Sequence, residues 1–151
     1  MRRKINEHYL SSLNRRAVFV KFEDTTWHNE NTDSAEADYF GEVINVSFPN
    51  AGKRIVGDEE CFTMFYLTLY RIDEQNCYEK IPYDPFEMEF ETIAEVIGAV
   101  NAYIRSRPFM IRWEGRGKYL LLDPNGANYT GEYVTLKDAK RTSRYNYELN
   151  F

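Results

Sequence analysis

Carboxylates are the one catalytic resource this chain holds in excess, and they gather in short runs. Asp58, Glu59 and Glu60 stand together in "GDEEC", and Asp84, Glu87, Glu89 and Glu91 follow within "YDPFEMEFET". Oxygen ligands of this kind suit Mg2+, so one chemistry open to the second group is metal-assisted cleavage of a phosphodiester. Nucleases of the restriction type pair such carboxylates with a Lys, and no Lys follows these residues at a suitable spacing. The other chemistry is electrostatic. In an extended strand alternate side chains lie about 6.6 Å apart on one face, at a rise of ~3.3 Å per residue. That is on the order of the separation of successive phosphates along one nucleic-acid strand. A row of Glu87, Glu89 and Glu91 can therefore imitate a phosphate backbone, with Asp58, Glu59, Glu60 and the loop acids Glu30, Asp33, Glu36 and Asp38 extending it.

A second constellation has the opposite sign. "IRSRPFMIRWEGRGKY" and "KDAKRTSRYNYELNF" interleave Arg112, Arg116, Lys140 and Arg141 with Trp113, Tyr119, Tyr145 and Tyr147. Cations neutralise phosphates and aromatic faces stack on bases, so this combination suits direct nucleic-acid binding. Other chemistry has little to rest on. The two histidines, His8 and His28, belong to no recognisable constellation, and Cys61 and Cys77 lack the spacing of a zinc site or a disulfide framework. No phosphate-cradling loop, nucleophile elbow or HExxH helix is present. Neither a cofactor nor a bound metal is expected.

The elements that must position these residues follow from periodicity. Ile5, Tyr9, Leu10 and Leu13 recur at helical spacing, with Glu7 and His8 on the polar side. "RAVFVKFED" alternates as a strand, "DTTWHNENTDSAEAD" reads as a polar surface loop, and "YFGEVINVSFP" as a second strand. "CFTMFYLTLYRID" is apolar on both alternating sets, which predicts a central strand covered on both faces. "FEMEF" alternates Phe86, Met88 and Phe90 against Glu87 and Glu89. Thr92 and Glu95 then form a capping box for a helix with the stripe Ile93, Val96, Ile97, Val100 and Ile104, which Pro108 stops. "FMIRWEG" and "KYLLLD" flank "GRG" as a hairpin, "DPNG" is a turn, "GEYVT" closes the sheet, and Thr135 with Asp138 caps a last helix, "LKDAKRTSRY". The expected architecture is α+β, one domain with an antiparallel sheet and helices on one face. The order strand, turn, short strand, Thr-capped helix occurs over about 61–105 and again over 109–145, as an internal duplication would produce.

At 151 residues with 43% hydrophobic and 16% aromatic side chains the chain can fold without disulfides or metals. Its net charge of −5 is unevenly spread: +5 over residues 1–21, −14 over 22–101 and +4 over 102–151. No secretory leader or run of eighteen apolar residues is present, so a cytoplasmic protein without a membrane span is expected.

The acidic run "GDEECFTMFYLTLYRIDE", the strand "PYDPFEMEFET" and the absence of a catalytic motif resemble the small, acidic, aromatic-rich proteins with which phages and other mobile elements block host defence nucleases, the anti-CRISPR and anti-restriction proteins. The resemblance implies a non-enzymatic inhibitor, a monomer or weak dimer, that covers a basic nucleic-acid-binding surface of a host protein such as a CRISPR or restriction nuclease. Those proteins share no common motif, so the resemblance assigns no residue a role. The basic ends depart from a pure nucleic-acid mimic and point to a grip of mixed charge. The alternatives are a nucleic-acid-binding module using the basic, aromatic region and, after it, a carboxylate-dependent metal nuclease.

Overall fold

The structure, a computed structural model, describes residues 2–25, 33–49, 64–72, 78–80, 88–126 and 129–151. Its α+β class is the expected one. The strands form two sheets rather than one, each in one of two compact units, Met1–Asn101 and Ala102–Phe151. Among the described residues no helix is long and apolar enough to cross a membrane.

In the first unit the helical spacing at the start of the chain becomes α1 (Arg2–Arg16). Leu13 is buried, and the Tyr9 ring lies 5.4 Å from that of Phe48 and 4.9 Å, edge-on, from that of Phe65. Glu7 and His8 are exposed, as expected of the polar side. The expected strand over 16–24 shrinks to β1 (Glu23–Asp24). Two asparagine side chains take the place of a ladder partner for what precedes it. Asn14 accepts from the Phe22 N–H at 2.6 Å and donates to the Phe22 carbonyl at 3.0 Å. Asn101 accepts from the Val18 N–H at 2.9 Å and donates to the Arg16 carbonyl at 3.1 Å. Backbone groups satisfied by side chains need no strand, and Phe19 takes a left-handed φ of 64° that an extended ladder forbids.

The polar run read as a loop contains β2 (Ser34–Tyr39), in which Ala35, Ala37 and Tyr39 point inward and alternate with Glu36 and Asp38. It forms a hairpin with β3 (Glu42–Ser47) across Phe40 and Gly41, whose φ values of 49° and 87° are those of a two-residue primed turn. The single strand expected over 39–49 is therefore this turn and its second arm. β4 (Phe65–Ile72), expected at the centre from its apolar pattern, is an interior strand one place from the edge of the sheet, with β3 along one side. Its other side is shared end to end by β5 (Tyr78–Lys80), opposite Tyr70 to Ile72, and β6 (Met88–Phe90), opposite Phe65 to Leu67. All pairs are antiparallel. Register aligns Ala35, Val46 and Leu67, and Ala37, Ile44 and Leu69, on one buried face. The opposite face of β4 carries Tyr66, Thr68 and Tyr70, which are half-buried, so the strand is fully covered on one side only.

α2 (Ile93–Arg105) starts where the capping box placed it. Thr92 Oγ1 accepts from the Glu95 N–H at 3.2 Å, and its hydroxyl donates to the Glu95 carboxylate at 3.0 Å. Val96, Ile97, Val100 and Ile104 of the expected stripe are buried, joined by Tyr103.

The second unit holds β7 (Phe109–Gly115), β8 (Lys118–Leu122), β9 (Tyr129–Tyr133), α3 (Leu136–Thr142) and β10 (Tyr147–Asn150), with the sheet ordered β10, β7, β8, β9. Gly115 and Gly117 supply the positive φ of the β7–β8 turn. Asp123 closes the "DPNG" turn, its carbonyl accepting from the Gly126 N–H and its carboxylate from the Asn125 N–H. Thr135 caps α3 by accepting from the Asp138 N–H at 3.2 Å. The helix stops at Thr142, earlier than expected, because Arg144 and Tyr145 adopt φ of 51° and 61° and turn the chain back. That reversal creates β10, which the sequence reading missed and which lies parallel to β7. Buried Asn146 anchors it, donating to the Ile104 carbonyl at 3.1 Å and accepting through its own carbonyl from the Phe109 N–H at 2.9 Å.

Candidate binding surfaces

The outer face of the first sheet follows from register. Glu23 stands directly opposite Glu36, Glu36 opposite Asn45, and Asn45 opposite Thr68. A neighbouring row runs Ser34, Ser47, Tyr66 and Glu89, and on the other side the row runs Asp38, Val43, Tyr70 and Lys80. Carboxylate positions on β1, β2 and β6, with the Lys80 position on β5, thus border a centre of amide, hydroxyl and phenol groups. An oriented chain crosses it: Ser47 Oγ donates to Asn45 Oδ1 at 3.4 Å, and Asn45 Nδ2 donates to Glu36 Oε1 at 3.3 Å. At a strand spacing of about 4.8 Å, Glu36 and Glu89 lie on the order of 14 Å apart across the sheet. Glu23, Asp38 and Glu89 are exposed and Glu36 half-buried.

Among the acidic residues predicted from sequence, Glu89 is on β6 with its side chain exposed, and Glu91 is exposed just beyond the strand. Glu36 and Asp38, expected on a loop, are on β2, whereas Asp33 is buried. Asp58, Glu59, Glu60, Asp84, Glu87 and Glu30 lie outside the described residues, as do His28, Cys61 and Cys77. Glu23 was not foreseen, although the Ala-Glu-Ala-Asp-Tyr alternation that brings Glu36 beside it was readable in the sequence.

The four predicted basic residues do not form one cluster. Arg112 is tied to Glu114, Nε to Oε1 at 2.7 Å. Arg116 is exposed in the β7–β8 turn, Arg141 is exposed on α3, and Lys140 holds its ammonium 5.4 Å from the centre of the Tyr147 ring. Register reveals an aromatic feature that sequence reasoning missed. Trp113 pairs with Tyr119 and Tyr119 with Tyr133, so three aromatic residues stand side by side on adjacent strands. The parallel pairing of Leu149 with Ile111 and Asn150 with Arg112 carries Phe151 to the same level beside Trp113, and its ring centre lies 6.2 Å from that of Tyr119. Trp113 and Phe151 are 51% and 67% exposed. The hairpin alternation was legible, but the fourth member depends on β10.

Among the described residues Glu42 is the one group with a clear change in acidity. It is buried opposite Arg71, 3.8 Å from the guanidinium, and burial raises its pKa above the ordinary carboxylate range while Arg71 pulls it back. Among the described residues no three His, Cys, Asp or Glu side chains gather as a metal site. No family model, curated protein or solved structure matches the chain.

Proposed function

We propose that this chain is a non-enzymatic binding protein that covers a basic, nucleic-acid-binding surface of another protein with the acidic outer face of its first sheet. It acts as a cytoplasmic monomer or weak dimer, in the manner of the inhibitors that mobile elements direct at host defence nucleases. The observation that carries this reading is the pairing of Glu23 with Glu36. Like charges directly opposite on neighbouring strands destabilise a sheet, and folding gains nothing from a third carboxylate, Asp38, two residues along. A basic partner relieves that repulsion and reads the carboxylate spacing, while Tyr66 and Tyr70 offer aromatic area at the centre of the face.

The test is affinity capture from cells of the source organism with wild type and with the triple variant Glu23→Gln, Glu36→Gln, Asp38→Asn, followed by binding measurements on the purified partner. The variant should melt at the wild-type temperature or slightly above it and bind at least tenfold more weakly. Wild-type affinity should fall as salt rises. Equal capture and affinity for both forms would overturn the proposal.

A further inference from the structure

We propose that the second unit carries a separate binding site for an unpaired nucleic-acid strand, built on the cross-strand row Phe151, Trp113, Tyr119 and Tyr133. Three observations support it. The first is position: among the described residues every exposed large hydrophobic side chain, Trp113, Val134, Tyr145, Leu149 and Phe151, belongs to this unit. Singly exposed apolar side chains are ordinary, but here exposed Trp113 and Phe151 adjoin half-buried Tyr119 and Tyr133 in one row, and contiguous apolar surface of this kind marks a binding surface. Phe109 and Ile111 continue the Trp113 side of β7 into the buried core, so the row is the outward end of a face whose inner end is packed.

The second is shape. The hypothetical Cβ of Gly131 would lie 2.7 to 3.0 Å from the hydroxyl oxygen and two ring carbons of Tyr133, so that side chain lies along its own strand over a residue with no side chain. A platform of rings on neighbouring strands, with a step of about 4.8 Å, suits bases spread apart in a single strand. The bases of a duplex turn only their edges outward and offer no face to stack on.

The third is charge. Two of the unit's carboxylates are already engaged, Glu114 by Arg112 and Glu132 by Lys118 at 3.8 Å, and a third, Asp123, is buried in its turn. Arg116 sits in the turn that joins the two central strands of the row. α3 lies against β8 and β9, and its Lys140 covers Tyr147 on the same side of the sheet as Trp113. Lys137 and Arg141, one helical turn apart, are exposed. None of Arg116, Lys137 and Arg141 has a carboxylate partner among the described residues. Rings flanked by uncommitted cations complement a polyanion that exposes its bases.

The experiment is fluorescence anisotropy of the whole protein with labelled twelve-nucleotide oligothymidine, oligouridine and a duplex of the same length, at two salt concentrations. Saturable binding of an unpaired strand, at least tenfold tighter than of the duplex, is expected. Trp113→Ala with Tyr119→Ala should weaken it at least tenfold, and Trp113→Phe should retain most of it because a stacking face remains. Arg116→Ala with Lys137→Ala and Arg141→Ala should weaken it and flatten its salt dependence. Absence of saturable binding at low salt, equal binding of the duplex, or indifference of a folded Trp113→Ala, Tyr119→Ala variant would each overturn the proposal. The residues tested lie outside the acidic face, so either proposal can fail while the other stands.

Discussion

At the scale of single residues, Glu42 shows how burial sets the pH response of this fold. Its pKa is raised in the folded chain, so the folded state holds the proton more tightly than the unfolded one. The stability it contributes is therefore complete below the unfolded value of about 4.3 and is lost as pH rises through the raised folded value. Glu42→Gln mimics the protonated form at every pH. The wild type should melt with the variant near pH 4 and progressively below it toward pH 7, and parallel thermal melts across that range would show it. A constant gap would mean that Arg71 cancels the cost of burial. Nothing in the sequence marked Glu42, because its partner across the sheet, Arg71, lies far along the chain.

Among the elements, those governed by local chemistry were the most legible. The Thr92–Glu95 box, the Thr135 cap, the glycines around Arg116 and the "DPNG" turn all occur where their residue types demanded. The elements missed were decided by side chains distant in sequence or by backbone that residue type does not announce. Phe40, Arg144 and Tyr145 hold left-handed conformations without being glycine, so the β2–β3 hairpin carried only Gly41 as a turn signal and the reversal into β10 carried no glycine at all. Alternation in "RAVFVKFED" predicted a strand that Asn14 and Asn101 pre-empt. Asn14→Ala leaves the N–H and carbonyl of buried Phe22 without these partners and should cost about 1–3 kcal/mol by denaturant titration. Asn14→Asp keeps the acceptor and loses the donor, so it should fall between. Equal stability of all three proteins would show that water serves Phe22 as well as the amide does.

For the molecule as a whole, the charge partition read from the sequence predicts a surface of differing sign from place to place, and the register shows which acidic residues stand beside one another on the first sheet. Glu89 and Glu91 are exposed as foreseen, yet it is Glu23 and Glu36, thirteen positions apart, that the register sets directly opposite one another. The construction of β4 has a further consequence for motion. One side of this interior strand is held by a single six-residue partner and the other by two separate three-residue partners. Amides that alternate along one strand should therefore report different openings. Hydrogen exchange resolved by residue should find slow amides on β4 where they face β3. Those facing the other side should be faster, in two groups with separate rates, one set by release of β5 and the other by release of β6. A core strand would then keep its place in the sheet while one of its sides opens in sections.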